Sequence, residues 1–284
     1  MLDLLTADDV LSHVMMLAAT NEVLYILVEG SSDCSVLDPH ISADVCETLP
    51  SGGKTVVLEA VALAREEGFK RLAAAVDLDW ADILYPRLGH ENIFYTDQYD
   101  IDATVFFREQ NVLRVAANFA DRSLLRRHIS SSDHPTLHDM VTQVAFPIGI
   151  LRYISERDRL ELHLRDFPVS VALNTAGNGI DFDKLIDLAM KRSPRSRISR
   201  EELVRVYRET EAGIDEPRRY CSGHDLLAAL AVILYRHCGS KASADAIARA
   251  TRASFACTDA KESLLFQDMS TWGNLHDKEI ISCL

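Results

Sequence analysis

The chain has little of what marks fibrous, disordered or membrane proteins. It contains 12 Gly and 8 Pro in 284 residues, which excludes collagen-like and low-complexity chains, and 48% of its residues are hydrophobic, which excludes a wholly disordered chain. No apolar stretch approaches the roughly 18 residues that span a bilayer, and the start MLDLLTADDV lacks the cationic segment of a signal peptide. We expect a cytoplasmic protein with no membrane partner.

Cysteine pairs at short spacing are also missing. The six cysteines lie far apart without a C-x-x-C motif, so we expect them to be free, buried, apolar side chains in a reducing compartment rather than zinc ligands. His128, His134 and His138 fall close together, but no Cys or paired carboxylate completes a zinc site there.

Basic residues are outnumbered, with 30 Lys and Arg against 43 Asp and Glu and a net charge of −13. A surface this acidic repels phosphate. A nucleic-acid partner would therefore require a local basic strip or bound divalent cations.

The first hundred residues alternate between strand and helix patterns. VLYILV, residues 23–28, is an uninterrupted apolar run typical of a strand buried on both faces of a parallel sheet. The remaining elements are a capped helix from Thr6 to about Asn21, a short helix from Ser31 to Asp38, strands at 43–49, 71–76 and 92–95, a helix at 55–67 and a short helix after Asp79. We therefore predict an α/β domain over residues 1–105, with a small, doubly wound, mostly parallel sheet.

The pattern changes after Asp102. Residues 103–128 and 136–157 look helical, the second stretch interrupted at Pro147, and a strand is predicted within 160–173. Further helices are predicted near 181–190, 200–211, 222–238 and 242–253. Residues 106–284 are thus predicted to be a mainly helical region packed on the first domain.

Acidic residues follow two of the predicted strands. Glu29 ends the first strand, Asp77 and Asp79 end the third, and Asp33 can face the same pocket from a helix beginning at Ser31. Ligands bind beyond the carboxyl ends of strands in open α/β sheets, and converging carboxylates suit Mg²⁺ or Mn²⁺. The alternative is that these residues are helix caps and solvated turns.

Together these segments resemble the TOPRIM families, in particular the branch of nucleases named after overcoming lysogenization defect (OLD). LYILVEGSSDCSVL resembles the family's strand with Val-Glu-Gly and a following Asp, and LAAAVDLDWAD resembles its Val-Asp-x-Asp segment. SGGKTVVL and the late CSGHDL resemble two further motifs of stand-alone members, whereas Tyr99-Asp100-Ile101-Asp102-Ala103 departs from the family's Tyr-Glu-Ile-Glu-Asn.

The resemblance implies a TOPRIM fold with Glu29 as general acid or base, Asp77 and Asp79 as ligands of Mg²⁺ or Mn²⁺, and Asp33 as a further ligand. It also implies a nuclease that acts on RNA, notably tRNA, or on DNA, as in PARIS-type anti-phage systems. An ABC-type ATPase in trans is the implied partner, and a homodimer is left open. The alternative function is a non-catalytic regulatory or assembly subunit with the same fold.

Three further positions have open interpretations. Lys54 follows Gly52-Gly53 in an incomplete phosphate-loop pattern, since Thr48 stands where Gly is needed, so it either contacts a phosphate, neutralises the acids or is a solvated turn residue. Asp100 and Asp102 either join the acidic site or cap the next helix. His224 either reaches the metal pocket or the substrate, or it lies partly buried beside Asp225, which then caps the following helix.

One stretch of the chain is strongly basic. Ten residues without an acid contain Lys191, Arg192, Arg195, Arg197 and Arg200, and a smaller cluster contains Arg122, Arg126 and Arg127. Such a run is either a solvated face or a contact surface for a nucleic-acid backbone. We expect a substrate to enter along one of these strips.

Overall fold

A computed structural model describes residues 5–283, which divide into two compact units. The first unit contains the chain up to Ile101 together with the segment from Phe255 onward, and the second contains Asp102–Ser254. The grouping of the C-terminal segment with the first unit was not predicted from the sequence. Within residues 5–283, no helix has the length and apolar character needed to cross a membrane.

The first unit is built on a four-stranded, entirely parallel sheet, which confirms the α/β prediction in its coarse form. The strands lie in the order β2-β1-β3-β4, with the bounds Leu24–Val28 for β1, Cys46–Pro50 for β2, Leu72–Val76 for β3 and Ile93–Tyr95 for β4. Every residue of β1 and β3 is buried, as their uninterrupted apolar sequences predict. The chain turns to opposite sides of β1 for β2 and β3, so a ligand crevice is expected between the ends of β1 and β3.

Helices α1 (Ala7–Ala18) and α3 (Lys54–Glu66) pack on the sheet, while α2 (Ser31–Leu37) joins β1 to β2. The predicted capping box of α1 is present, because Thr6 and Asp9 exchange side-chain and backbone hydrogen bonds of 3.0 and 3.2 Å. Val14, Val57 and Tyr25 are fully buried where these helices meet the strands. The observed bounds of these elements differ from the predicted ones by a few residues.

The predicted short helix after Asp79 is wrong. Between β3 and β4 the chain forms turns and an isolated bridge between Ala81 and Tyr85. Asp82 has a φ of 67°, a left-handed conformation that interrupts a helix, and Pro86 lacks the N–H that a helix interior requires.

The C-terminal segment of the first unit adds α13 (Cys257–Glu262) and α14 (Leu264–Leu275) beside β4. The Asp97 carboxylate, just after β4, accepts hydrogen bonds of 2.9 Å from the Ser263 hydroxyl and 3.1 Å from the Leu265 backbone N–H. Phe94 of β4 lies 5.8 Å from Trp272 between ring centroids. A cap and an aromatic contact therefore hold this segment to the edge of the sheet.

The second unit is helical. Its helices are α4 (Ile101–Phe106, starting at the boundary residue), α5 (Glu109–Phe119), α6 (Arg122–Ser130), α7 (Leu137–Arg157), α8 (Val169–Ala172), α9 (Phe182–Arg192), α10 (Arg200–Glu211), α11 (Gly223–His237) and α12 (Ala244–Ala253).

Two predictions for the second unit are wrong. The strand predicted within 160–173 is instead the short helix α8. Within residues 5–283 no strand pairs with this segment, which forms a single bridge between Leu173 and Ile180. Helix α7 continues through Pro147 rather than breaking there. Proline inside a helix costs about 3 kcal/mol, and burial of Ile148, Ile150 and Leu151 offsets this cost.

Gly149 of α7 lies where the backbone of another element approaches closely. A Cβ atom at this position would stand 1.9 Å from the carbonyl oxygen of Tyr220, which ends the 3₁₀ helix Pro217–Tyr220. We expect Gly149→Ala to lower the free energy of unfolding by about 1–3 kcal/mol, since overpacking outweighs the better helix propensity of alanine. Urea denaturation measures this change, with Gly213→Ala as the control because a Cβ there meets its nearest atom at 3.7 Å. Equal stability of both variants would contradict the prediction.

Candidate active site

Two of the predicted acidic residues meet at the carboxyl ends of neighbouring strands. Glu29 directly follows β1 and Asp77 directly follows β3, and these strands pair in parallel. The Glu29 carboxylate accepts a hydrogen bond of 3.1 Å from the backbone N–H of Asp77. The sheet thus brings together residues 48 positions apart in the chain, at the edge where ligands bind in α/β proteins.

The surroundings of Glu29 and Asp77 disfavour the ionised form of both carboxyl groups. Burial raises the pKa of Glu29, and the nearby Asp79 and Asp33 carboxylates raise it further. Burial also raises the pKa of Asp77 well above its ordinary value, with additional contributions from Asp100 and Glu29. Several acidic groups therefore converge here, an arrangement typical of sites that bind a cation or hold a proton.

Lys54 supplies positive charge inside this acid cluster, which we define as Glu29, Asp33, Asp77, Asp79 and Asp100. Its ammonium donates to the backbone carbonyl of Asp77 and, over 2.7 Å, to the Asp79 carboxylate. Lys54 is the first residue of α3, and Gly53 before it has a φ of 111°, a conformation available to glycine. With its side chain 23% exposed, Lys54 neutralises the acids rather than lying in solvent.

The loop that carries Asp79 is tied to the segment after β4. Asp79 has a φ of 47°, and its N–H donates to the Tyr99 carbonyl over 2.8 Å. The N–H of Leu78 donates over 2.9 Å to the hydroxyl of Thr96. Sequence reasoning missed Thr96 and Tyr99 as positioning residues, although a hydroxyl at the end of the strand next to β3 was a usable signal.

Asp33 has a local structural role as well. Its carboxylate accepts a hydrogen bond of 2.8 Å from the Gly30 N–H at the start of α2. It is nevertheless close enough to raise the pKa values of Glu29 and Asp77. Asp33 therefore adds negative charge to the cluster while it caps the helix.

The acid cluster is not closed around one metal position. A compact metal site needs three Cys, His or acidic side chains with ligand atoms within about 4.8 Å of one another. Within residues 5–283 such a group is found elsewhere in the first unit and not among these acids. The Asp79 carboxylate is instead bound by Lys54. The donor set still fits a hard cation, because the Asp79 carboxylate and the Asp77 carbonyl already bind an ammonium group here and such oxygens are ligands of Mg²⁺.

Asp100 and Asp102, predicted together, have different environments. Asp100 is near enough to Asp77 to raise its pKa. Asp102 belongs to the second unit, where its two carboxylate oxygens accept hydrogen bonds of 2.7 Å each from Arg252. This bidentate pair engages both carboxylate oxygens of Asp102.

His224 and Asp225 also lie in the second unit, and their predicted burial and capping roles are wrong. The His224 side chain is 68% exposed and lies 3.3 Å from the Asp166 carboxylate. The cap of α11 is Ser222, and Asp225 is buried in a bidentate ion pair with Arg152 at 2.7 and 3.0 Å. The sequence contains no local signal for this pair because its members are 73 positions apart.

The basic strip is only partly free for a ligand. Arg192 donates to the carbonyls of His163 and Arg165, and Arg200 forms ion pairs with Asp183 and Asp187. Three residues are exposed and, within residues 5–283, have no acid at ion-pair distance: Lys191, Arg195 and Arg197. The smaller cluster, also exposed, lies on α6 and consists of Arg122, Arg126 and Arg127.

Fold and site define an α/β protein with a cluster of acidic side chains at the carboxyl ends of two parallel strands. No protein-family model matches the chain, and no curated protein is significantly similar to it.

Proposed function

We propose that the chain is a TOPRIM-type nuclease that cleaves phosphodiester bonds in RNA, with tRNA as the leading candidate, or in DNA, with Mg²⁺ or Mn²⁺ as cofactor. The observation that supports this most strongly is the convergence of Glu29 and Asp77 at the ends of β1 and β3, with burial raising the pKa of both. The resemblance of the segments around these residues to TOPRIM motifs supports the same proposal. It also supports a role in anti-phage defence under the control of an ABC-type ATPase.

In this proposal Asp77 and Asp79 hold the metal ion, which when bound polarises the scissile phosphodiester. The raised pKa of Glu29 suits a group that takes a proton from water or returns one to the leaving oxygen. Lys54 donates to the Asp79 carboxylate over 2.7 Å and would be positioned to donate to a phosphate oxygen if that carboxylate held a cation. The exposed Lys191, Arg195 and Arg197 are the proposed contacts to the nucleic-acid backbone.

The test is cleavage of tRNA and DNA by the purified chain with Mn²⁺ or Mg²⁺, with and without any ABC-type ATPase encoded beside its gene. Glu29→Gln is expected to lower the rate by about 10²–10⁴-fold, the usual contribution of a positioned acid or base. Glu47→Gln, an exposed acid of β2, is the matched control and should cleave normally. Cleavage that survives Glu29→Gln unchanged would refute the assignment.

Lys54 can be tested separately, because its two proposed roles change different quantities. Lys54→Ala removes a positive charge beside Asp79, so Mn²⁺ should bind more tightly, while loss of a donor to the transition state should lower kcat by about 10²-fold. Calorimetry and cleavage kinetics measure the two effects, with the exposed Lys70→Ala as control. Weaker Mn²⁺ binding with an unchanged kcat would show that Lys54 only holds the loop.

A non-catalytic regulatory or assembly subunit is the second candidate. The Lys54–Asp79 ion pair favours it, because a site neutralised by its own lysine has less need of a metal ion. Calorimetry that detects no Mg²⁺ or Mn²⁺ binding at millimolar concentration would favour this function over the nuclease.

A further inference from the structure

A second group of metal-binding side chains lies in the first unit, outside the acid cluster. The Nδ1 atom of His40 is 3.3 Å from the sulfur of Cys283 and 3.9 Å from the sulfur of Cys257, and all three ligand atoms lie within 4.8 Å of one another. We call His40, Cys257 and Cys283 the thiol–imidazole cluster. It brings His40 together with two cysteines that lie more than 200 positions further along the chain.

Three local structures hold these residues in place. His40 ends the 3₁₀ helix Asp38–His40, and Cys257 is the first residue of α13. The tail that carries Cys283 is bound to the segment after His40 by a bridge between Ile41 and Ile281 and by hydrogen bonds of 2.9 Å from the Ser282 N–H to the His40 carbonyl and 2.8 Å from the Ser42 N–H to the Ile280 carbonyl.

The imidazole is oriented before any ion binds. His40 is 4% exposed and packs edge-to-face against both Phe255 and Phe266, with ring centroids 5.5 and 5.6 Å away. Burial lowers the pKa of His40, which favours the neutral imidazole that binds metal ions, while the Phe255 backbone acts in the opposite direction.

The two nitrogen–sulfur distances are close to those of a tetrahedral zinc site. Zinc bonds of about 2.3 Å to sulfur and about 2.0–2.1 Å to nitrogen, at a tetrahedral angle, put nitrogen and sulfur about 3.6 Å apart and two sulfurs about 3.8 Å apart. The observed nitrogen–sulfur distances of 3.3 and 3.9 Å lie on either side of this value. Thiolate and imidazole donors select Zn²⁺ over Mg²⁺ or Mn²⁺.

We propose that His40, Cys257 and Cys283 bind one Zn²⁺ ion, with the fourth position open to water or to a donor from another molecule. The ion would connect the C-terminal tail, the start of α13 and the segment before β2. Cys257 is exposed and Cys283 partly exposed, so the ion is accessible from solvent. The site is independent of the proposed nuclease activity, which requires Mg²⁺ or Mn²⁺ at different residues.

The experiment titrates Zn²⁺ into the reduced, metal-free chain of 284 residues against a chromophoric chelator. We expect one Zn²⁺ per chain. Cys257→Ser and Cys283→Ser should each weaken binding by more than about 100-fold, since changes in residues behind the ligands already cost 10–100-fold. Cys34→Ser, a partly exposed cysteine of the same unit, is the matched control and should bind normally.

Three further measurements separate the alternatives. Co²⁺ in place of Zn²⁺ should give a thiolate-to-cobalt charge-transfer band that disappears in Cys257→Ser. Asp77→Asn should retain Zn²⁺ binding, so failure of the nuclease proposal leaves this result unaffected. The proposal would be overturned if the reduced chain bound no Zn²⁺ and if mass spectrometry after oxidation showed only a Cys257–Cys283 disulfide.

Discussion

Asp77→Asn is expected to abolish Mg²⁺ or Mn²⁺ binding at the acid cluster and to lower phosphodiester cleavage by about 10³-fold or more, since a bound metal ion contributes several kcal/mol to charge stabilisation. The same change should stabilise the metal-free protein at neutral pH. The asparagine amide retains an oxygen that can accept the 3.3 Å hydrogen bond which the Ile101 N–H donates to Asp77. The substitution removes a charge whose burial raises the pKa of Asp77 well above its usual value.

The pH dependence distinguishes this effect from a change in packing. Below about pH 3.9, the usual pKa of an aspartate, the residue is protonated in both the folded and the unfolded chain. As the pH rises above that value, the unfolded chain loses this proton first, because the folded state holds it more tightly. The wild type should therefore lose stability relative to Asp77→Asn as the pH rises.

The measurement is the unfolding temperature in EDTA at pH 5 and pH 8, combined with Mn²⁺ calorimetry. The advantage of Asp77→Asn should be larger at pH 8. Asp44→Asn, an exposed acid of the same unit, is the control and should change neither quantity. An Asp77→Asn protein that is less stable than the wild type in EDTA at pH 8, or that binds Mn²⁺ as the wild type does, would contradict the assignment.

Asp225→Ala is expected to destabilise the second unit by about 3–5 kcal/mol, the cost of leaving one charge of a buried ion pair without its partner. The Asp225 side chain is 2% exposed, and its two oxygens accept the hydrogen bonds of Arg152. Arg152 also donates to the Leu164 carbonyl over 2.8 Å, so the pair connects α7, α11 and the segment before α8. Urea denaturation followed by circular dichroism measures the change.

The double variant Arg152→Met/Asp225→Leu is the informative comparison. Replacing both charges by apolar side chains removes the desolvation cost together with the attraction, so it should recover most of the lost stability. His224→Ala, an exposed neighbour, should shift stability by less than about 0.5 kcal/mol. An Asp225→Ala protein within about 1 kcal/mol of the wild type would mean that the pair contributes little.

Much of the fold of the first unit was predictable from local pattern. The short apolar runs of β1 and β3, the capping box of α1 and the helical spacing of the apolar residues in α3 are all local signals of the elements observed. The predictions were wrong where the structure of a segment depends on residues far away in the chain. Residues 160–173 have the composition of a strand but no strand beside them, and α7 tolerates Pro147 because its flanks are buried.

The candidate site was also predictable only in part. Glu29 and Asp77 could be predicted as neighbours because each ends a buried strand, and parallel strands end at one edge of the sheet. The sequence allowed Lys54 to neutralise the acids but did not single out Asp79 as its partner, and it did not indicate that Asp102 would pair with Arg252. The cysteines looked unrelated because their spacing along the chain bears no relation to their distance in space.

The sequence by itself therefore determined the α/β alternation, the buried strands and the position of the acids at the strand ends, since these depend on the periodicity of neighbouring residues. Only the tertiary structure decided which charges neutralise one another and which thiols lie beside His40. Ion pairs and metal ligands act over a few ångströms. The chain brings such atoms together only after the strands and helices have packed.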